Sequence, residues 1–154
     1  MAANHSYAVE VEWTGNRGSG TTAYRDYDRT NTVRASGKPD LAGSADRAFF
    51  GDPDRWNPEE LLVAALSQCH LLSYLHVCVR AGVVVTGYTD AATAELQVDP
   101  DGGGRLTAVT LRPRVVLGDE SQRALADALH EDAHRLCFIA NSVRVPVVID
   151  PRTP

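Results

Sequence analysis

Residues 57–82 read Asn57-Pro58-Glu59-Glu60 followed by LLVAALSQCHLLSYLHVCVRA and Gly82. Asn is a good helix N-cap, Pro is preorganised at the first helical position, and Glu three residues after the cap completes a capping box. The run then stays apolar on almost every side until Gly82, a natural C-cap. The pattern predicts one helix from Pro58 to Ala81, roughly 36 Å long at 1.5 Å per residue. A helix apolar all round must be covered on most sides, and in a chain of 154 residues the simplest cover is a partner subunit.

Strands flank this helix. YAVEVEW (7–13) places Tyr7, Val9, Val11 and Trp13 on one face against Ala8, Glu10 and Glu12, the signature of a half-buried strand. A glycine-rich turn follows at 14–20, then extended stretches at 21–27 and 32–35. Residues 36–57 read as a loop, long enough to be functional or an excursion to a partner. After the helix, 82–98 and 105–117 are β-rich and joined by a turn at 99–104. Asp119 caps a second helix through residue 136, and VRVPVVID (143–150) closes as a strand that Pro146 marks as an edge. Strands, helix, strands, helix, strand, without repeats, is an α+β arrangement in a single domain spanning 1–154, with antiparallel sheets around a long buried central helix.

Composition bounds the function. With 44% hydrophobic and 23% charged residues, the chain has a core and is not disordered. Fifteen Lys and Arg against 20 Asp and Glu, a formal net charge of −5, make a nucleic-acid partner unexpected. No uninterrupted run of 18 apolar residues occurs, so no membrane span or membrane partner is expected. The start, MAANHSYAVEVEW, has neither a basic nor an apolar leader segment, which predicts a cytoplasmic location.

The three cysteines suit a reducing compartment, where paired thiols are more often catalytic than structural. Cys69 and Cys78 stand nine residues apart on one helix, about 13 Å along its axis and on opposite sides. That separation exceeds disulfide reach, so an intrachain pair must join Cys137 to Cys69 or to Cys78. Any one cysteine can also be a small buried hydrophobe. Cys78, between Val77 and Val79, fits that description best, whereas Cys69 is flanked by the polar Gln68 and His70. His70 and His134 stand beside the two remaining thiols, either tuning them or only satisfying hydrogen bonds. A competing motif is His130-Glu131-Asp132-Ala133-His134, an H-E-x-x-H in which His130, His134 and Cys137 could bind zinc with Glu131 as general base of a hydrolase. The plain alternative is a solvated acidic helix face beside two ordinary histidines.

NPEELLVAALSQCHLL (57–72) resembles the signature helix of the OsmC/Ohr family of thiol-dependent organic hydroperoxide reductases. HRLCFIANSVRVPV (134–147) is similar to the second cysteine segment in one branch of that family. The resemblance implies an OsmC-like fold, an intertwined homodimer, and a peroxidase with no cofactor. In it Cys69 would be the peroxidatic thiolate and Cys137 the resolving thiol, forming an intrachain disulfide that an external dithiol, lipoyl-type in relatives, reduces. The family's glutamate corresponds to Glu59. Its arginine would be Arg29 in YRDYDR, with Arg17, Arg25 and Arg47 as the other candidates.

Physical chemistry supports a cation at such a site, because a thiol with a pKa near 8.5 is a poor nucleophile at neutral pH. Arginine is permanently charged and can fork between sulfur and carboxylate. Glu59 lies about 15 Å along the helix from Cys69, which predicts that it reaches the sulfur of the other protomer; alone, it reads as a carboxylate favouring the helix N-terminus. Leu62, Leu66 and Leu72 would favour alkyl peroxides over hydrogen peroxide. A third expectation is a dimeric binding module with this fold and no redox chemistry.

Overall fold

A computed structural model describes residues 4–152. The chain divides into two compact units, 1–61 and 62–154. In the first, β1 (Glu10–Trp13), β2 (Asn31–Arg34) and β3 (Leu41–Gly43) form an antiparallel sheet in the order β1-β2-β3. Val11 faces Val33 and Glu12 faces Thr32 across the first pair, and Arg34 ties the strands by ion pairs to Glu12 (2.6 Å) and Asp40 (3.1 Å). Two expectations change here. Residues 21–27 are turns rather than an extended stretch, folded by Arg17, which donates to the carbonyls of Arg25 and Asp26. β1 exists, but every residue in it is exposed within one chain, Val11 by 62%.

Helix α1 (Pro58–Ala81) has the predicted bounds. The capping box forms as expected: Glu60 N donates to Asn57 Oδ1 at 2.8 Å and Asn57 N donates to Glu60 Oε2 at 3.2 Å. Gly82, at φ 71°, ends the helix in the left-handed region, where a side chain would be strained. The helix buries only the stripe Leu66, His70, Tyr74, Val77 and Cys78 and leaves Leu72 61% and Val79 78% exposed. A single chain therefore covers one face of a helix whose sequence is apolar on nearly all of them. By length and composition α1 is apolar enough to cross a membrane, with a mean hydropathy of 1.5 over its most apolar 18 residues. The helix still holds no uninterrupted apolar run of 18 residues, because Gln68 and His70 break it, and a core helix has the same length and composition.

Both β-rich stretches after α1 break and change partner. β4 (Val85–Asp90) pairs with β7 (Pro113–Leu117), while β5 (Thr93–Val98) forms a hairpin with β6 (Gly104–Leu111). The breaks coincide because Asp90 holds them together: its Oδ1 accepts from Arg112 N at 2.6 Å and its Oδ2 accepts from Ser67 Oγ of α1 at 2.5 Å. β8 (Val147–Ile149) lies at a sheet edge, as Pro146 predicts, but runs parallel to β6. That exception to an antiparallel fold follows from α2 (Arg123–Leu136), which crosses the unit before the chain returns. Asp119 caps a short 3-10 turn at Glu120–Gln122 rather than α2 itself, its side chain accepting from Ser121 N.

Two apolar clusters result. Tyr74, Val77 and Cys78 of α1 pack with Val115 and Leu117 of β7 and with Leu129 of α2. Leu66 packs with Val109 and Leu111 of β6, and Ile139 joins it from the segment after α2.

Candidate functional site

Within the second unit, Cys69 and Cys137 come together. Cys69 is half-buried on α1; Cys137 is buried where α2 ends, and both thiols are free. The turn after α2 is fixed by Asn141, whose Nδ2 donates to the carbonyls of Arg135 and Cys137 (3.0 Å each), and by Ser142 Oγ, which donates to Phe138 O at 2.7 Å. So held, Ile139 N donates to Cys69 Sγ at 3.5 Å, placing an amide where it would meet negative charge on that sulfur. Burial pushes the Cys137 thiol up to about 11, and its hydrogen bond with Cys69 adds to the rise. One sulfur is thus half-open and faced by an amide donor, while the other is sealed and strongly disposed to keep its proton. The Ile139 amide is a contributor that sequence reading missed; a backbone donor carries no residue-type signal.

Cys78 behaves as the small hydrophobe its neighbours suggested. Burial raises its thiol, and it sits in the Tyr74 cluster. Of the two pairings the spacing leaves open, the structure brings Cys137 to Cys69.

The H-E-x-x-H reading is overturned. His130 and His134 do share a face of α2, but that face packs on α1. His130 Nδ1 lies 3.0 Å from His70 Nε2 in a buried imidazole–imidazole hydrogen bond, and its ring stacks on Tyr74 with centroids 4.1 Å apart. Glu131 is exposed. Among the described residues no three His, Cys, Asp or Glu side chains are grouped so as to hold a metal ion. Burial lowers both His70 and His130 to about 4, with the charges of His130 and His134 adding for His70 and that of Arg123 for His130. Both rings are therefore neutral at pH 7. His70 Nδ1 and His134 Nδ1 are buried without a hydrogen-bond partner.

Arg29 and Glu59 belong to the first unit, where they line one cavity of about 490 Å³ with Trp13, Tyr27, Phe49 and Pro58. The guanidinium of Arg29 lies 4.3 Å from the Tyr24 ring centroid and 4.2 Å from that of Tyr27, and donates to the carbonyls of the same two residues at 2.7 and 2.6 Å. Stacking and carbonyl bonds hold the cation in place without spending it on a carboxylate. Arg17 instead meets Asp28 at 3.8 Å, and Arg25 lies over Phe50; neither lines the cavity, nor does Arg47. An arginine and a glutamate at the wall of an apolar cavity can meet a ligand that is greasy at one end and polar at the other.

The family model described as OsmC-like protein matches residues 51–152. Among solved structures, a Vibrio cholerae OsmC-like protein of unknown function shares 32% identity over 97% of this chain and 100% of its own, with a TM-score of 0.85. An organic hydroperoxide resistance protein from Legionella pneumophila has 20% identity over 99% and 98% of the two chains and a TM-score of 0.71. The Bacillus subtilis organic hydroperoxide resistance protein OhrB has 21% identity over 97% and 98%, with a TM-score of 0.65. At those identities the last two show the fold alone. No curated protein matches.

Proposed function

Since the chain belongs to the OsmC-like protein family, we propose that it is a two-cysteine peroxidase that reduces organic hydroperoxides to alcohols. The observation that carries this reading is the meeting of a half-open Cys69, faced by the Ile139 amide, with a buried Cys137.

In this reading the Cys69 thiolate attacks the outer oxygen of the hydroperoxide. The O–O bond breaks, the alkoxide takes a proton and leaves as alcohol, and Cys69 becomes a sulfenic acid. The Cys137 sulfur then displaces hydroxide from that sulfenic acid, giving a disulfide and water. An external dithiol, lipoyl-type in this proposal, returns both thiols by exchange. Two electrons leave the thiol pair and two arrive from the dithiol in each turnover.

The proposal assigns Arg29 and Glu59 to the same active site. A straight helix keeps Glu59 about 15 Å from Cys69, so here they reach the sulfur from a second copy of the chain. Support comes from the exposed apolar surface of β1 and α1, at Val11, Leu72 and Val79, which a homodimer would cover. The apolar lining beside Arg29 favours alkyl peroxides over hydrogen peroxide.

The test is turnover of cumene hydroperoxide and of hydrogen peroxide under saturating dihydrolipoamide. Wild type should reduce cumene hydroperoxide much the faster, and Cys69→Ser should abolish the activity. Full turnover by Cys69→Ser would reject the reading.

A further inference from the structure

At one end of the second sheet, β6 and the chain leading into β8 stand apart. Their parallel pairing starts only at Val109 and Val147, with Val109 N donating to Pro146 O at 2.9 Å. Before that point Pro146 has no amide hydrogen with which to extend the ladder. On the other side of β6, the register with β5 shifts between Glu95 and Leu96 and leaves Thr107 as a bulge, a feature that bends a strand and re-aims its side chains. Residues 105–107 and 143–146, with Leu62 of α1, line a cavity of about 690 Å³. All of it lies within the second unit, and its volume is in the range of small-molecule sites.

The cavity has an apolar floor and a cationic rim. Leu62, Leu106, Val143 and Val145 are half-buried and pack against the Leu66, Val109 and Leu111 cluster, so the floor is the edge of the core itself. Arg105 and Arg144 are exposed. Among the described residues neither forms an ion pair, whereas Arg112, Arg123, Arg135 and Arg152 of the same unit each meet an aspartate or glutamate at 2.6 to 3.6 Å. No carboxylate lines the cavity, although the chain as a whole carries a formal net charge of −5. Two uncompensated guanidinium groups repel a cation, and a purely polar anion would leave the apolar floor wet. The complement of such a surface is an anionic head on an aliphatic chain.

The donor set narrows the head group. Each guanidinium is a fork that matches two oxygens. Thr107 Oγ1 already donates to Glu95 O at 3.3 Å, so the two arginines are the lining side chains left to donate. A carboxylate, with two oxygens and one charge, is satisfied by them. A phosphate carries a third oxygen and further charge that call for more donors.

We propose that this cavity binds an amphipathic carboxylate, the anion of an aliphatic acid, with its head between Arg105 and Arg144 and its chain along Leu62, Leu106, Val143 and Val145. Neither Cys69 nor Cys137 lines the cavity, nor do Val11, Leu72 and Val79, the surface that a second copy would cover. The site is therefore a second one, beyond the thiol chemistry.

Isothermal titration calorimetry on the full-length protein tests it with octanoate, the neutral octanamide and octyl phosphate. Octanoate should bind more tightly than the other two, and more weakly as salt rises, because exposed charges are screened. Arg105→Gln/Arg144→Gln should weaken octanoate about 10-fold, the combined effect expected of two exposed charge pairs, and leave octanamide unchanged. Both positions are exposed, so the urea midpoint of the variant should equal that of wild type. Absence of octanoate binding to wild type overturns the proposal, and so does equal affinity for octanoate and octanamide, or wild-type affinity for octanoate in the double variant. Tighter binding of octyl phosphate than of octanoate overturns the carboxylate assignment in favour of a phosphate site. Hydroperoxide turnover plays no part in the readout, so loss of the peroxidase reading would leave this proposal standing, and the reverse holds equally.

Discussion

Acidification should unfold this protein through two buried histidines. In the unfolded chain a histidine titrates near 6.5, whereas in the fold His70 and His130 are held to about 4, first of all by burial. The folded values are depressed, so the fold favours the neutral rings. Their contribution is fully present above pH 6.5 and is lost as pH falls from about 6.5 towards 4. Each pH unit in that window is worth about 1.4 kcal/mol per ring, so by pH 4 the first ring to titrate has cost about 3 kcal/mol. The second costs further, because a charged neighbour opposes it. Against a total of roughly 5–15 kcal/mol for a domain, that is a large share. Protonating the ring that accepts the 3.0 Å bond between α1 and α2 also removes that bond's acceptor. The assay is urea denaturation at pH 7, 6, 5 and 4 in constant salt, for wild type and for His70→Gln/His130→Gln. Asp119 and Glu120 also have lowered pKa values, through bonds to Ser121 and Arg123 respectively, and lose stability in acid in both proteins. The difference between the two curves therefore isolates the histidines. Wild type should lose at least about 3 kcal/mol more than the variant between pH 7 and pH 4. Parallel curves would refute the reasoning.

Two smaller perturbations follow from the helix and the third thiol. Asn57→Ala removes the side-chain half of the α1 capping box and should cost about 1 kcal/mol in urea denaturation. Cys78→Ala trims a buried side chain in the Tyr74 cluster, so it should lower stability by about 1 kcal/mol while leaving oxidation of the other two thiols at its wild-type rate in a timed thiol assay.

What the sequence made legible divides along physical lines. The bounds of α1 were readable because a capping box, Pro58 and Gly82 act within a few residues of themselves. Residues 21–27 misled because their β-tolerant composition says nothing of the bonds from Arg17 to Arg25 and Asp26. The breaks at Ala91 and Arg112 depend on Asp90 reaching both Ser67 and Arg112, contacts more than 20 positions apart that no periodicity shows. The same limit explains the histidines. The spacing of His130 and His134 places them on one face, as a metal motif needs, but does not reveal that His70 of another helix meets that face. The meeting of Cys69 with Cys137 was available only through family resemblance, since spacing left Cys78 open as well.

The account stands most directly on the product of oxidation. Reduced protein treated with one equivalent of cumene hydroperoxide should lose two of its three thiols and two mass units, and peptide mapping should find Cys69 linked to Cys137 with Cys78 still alkylatable. An unchanged thiol count, or a linkage through Cys78, would contradict it.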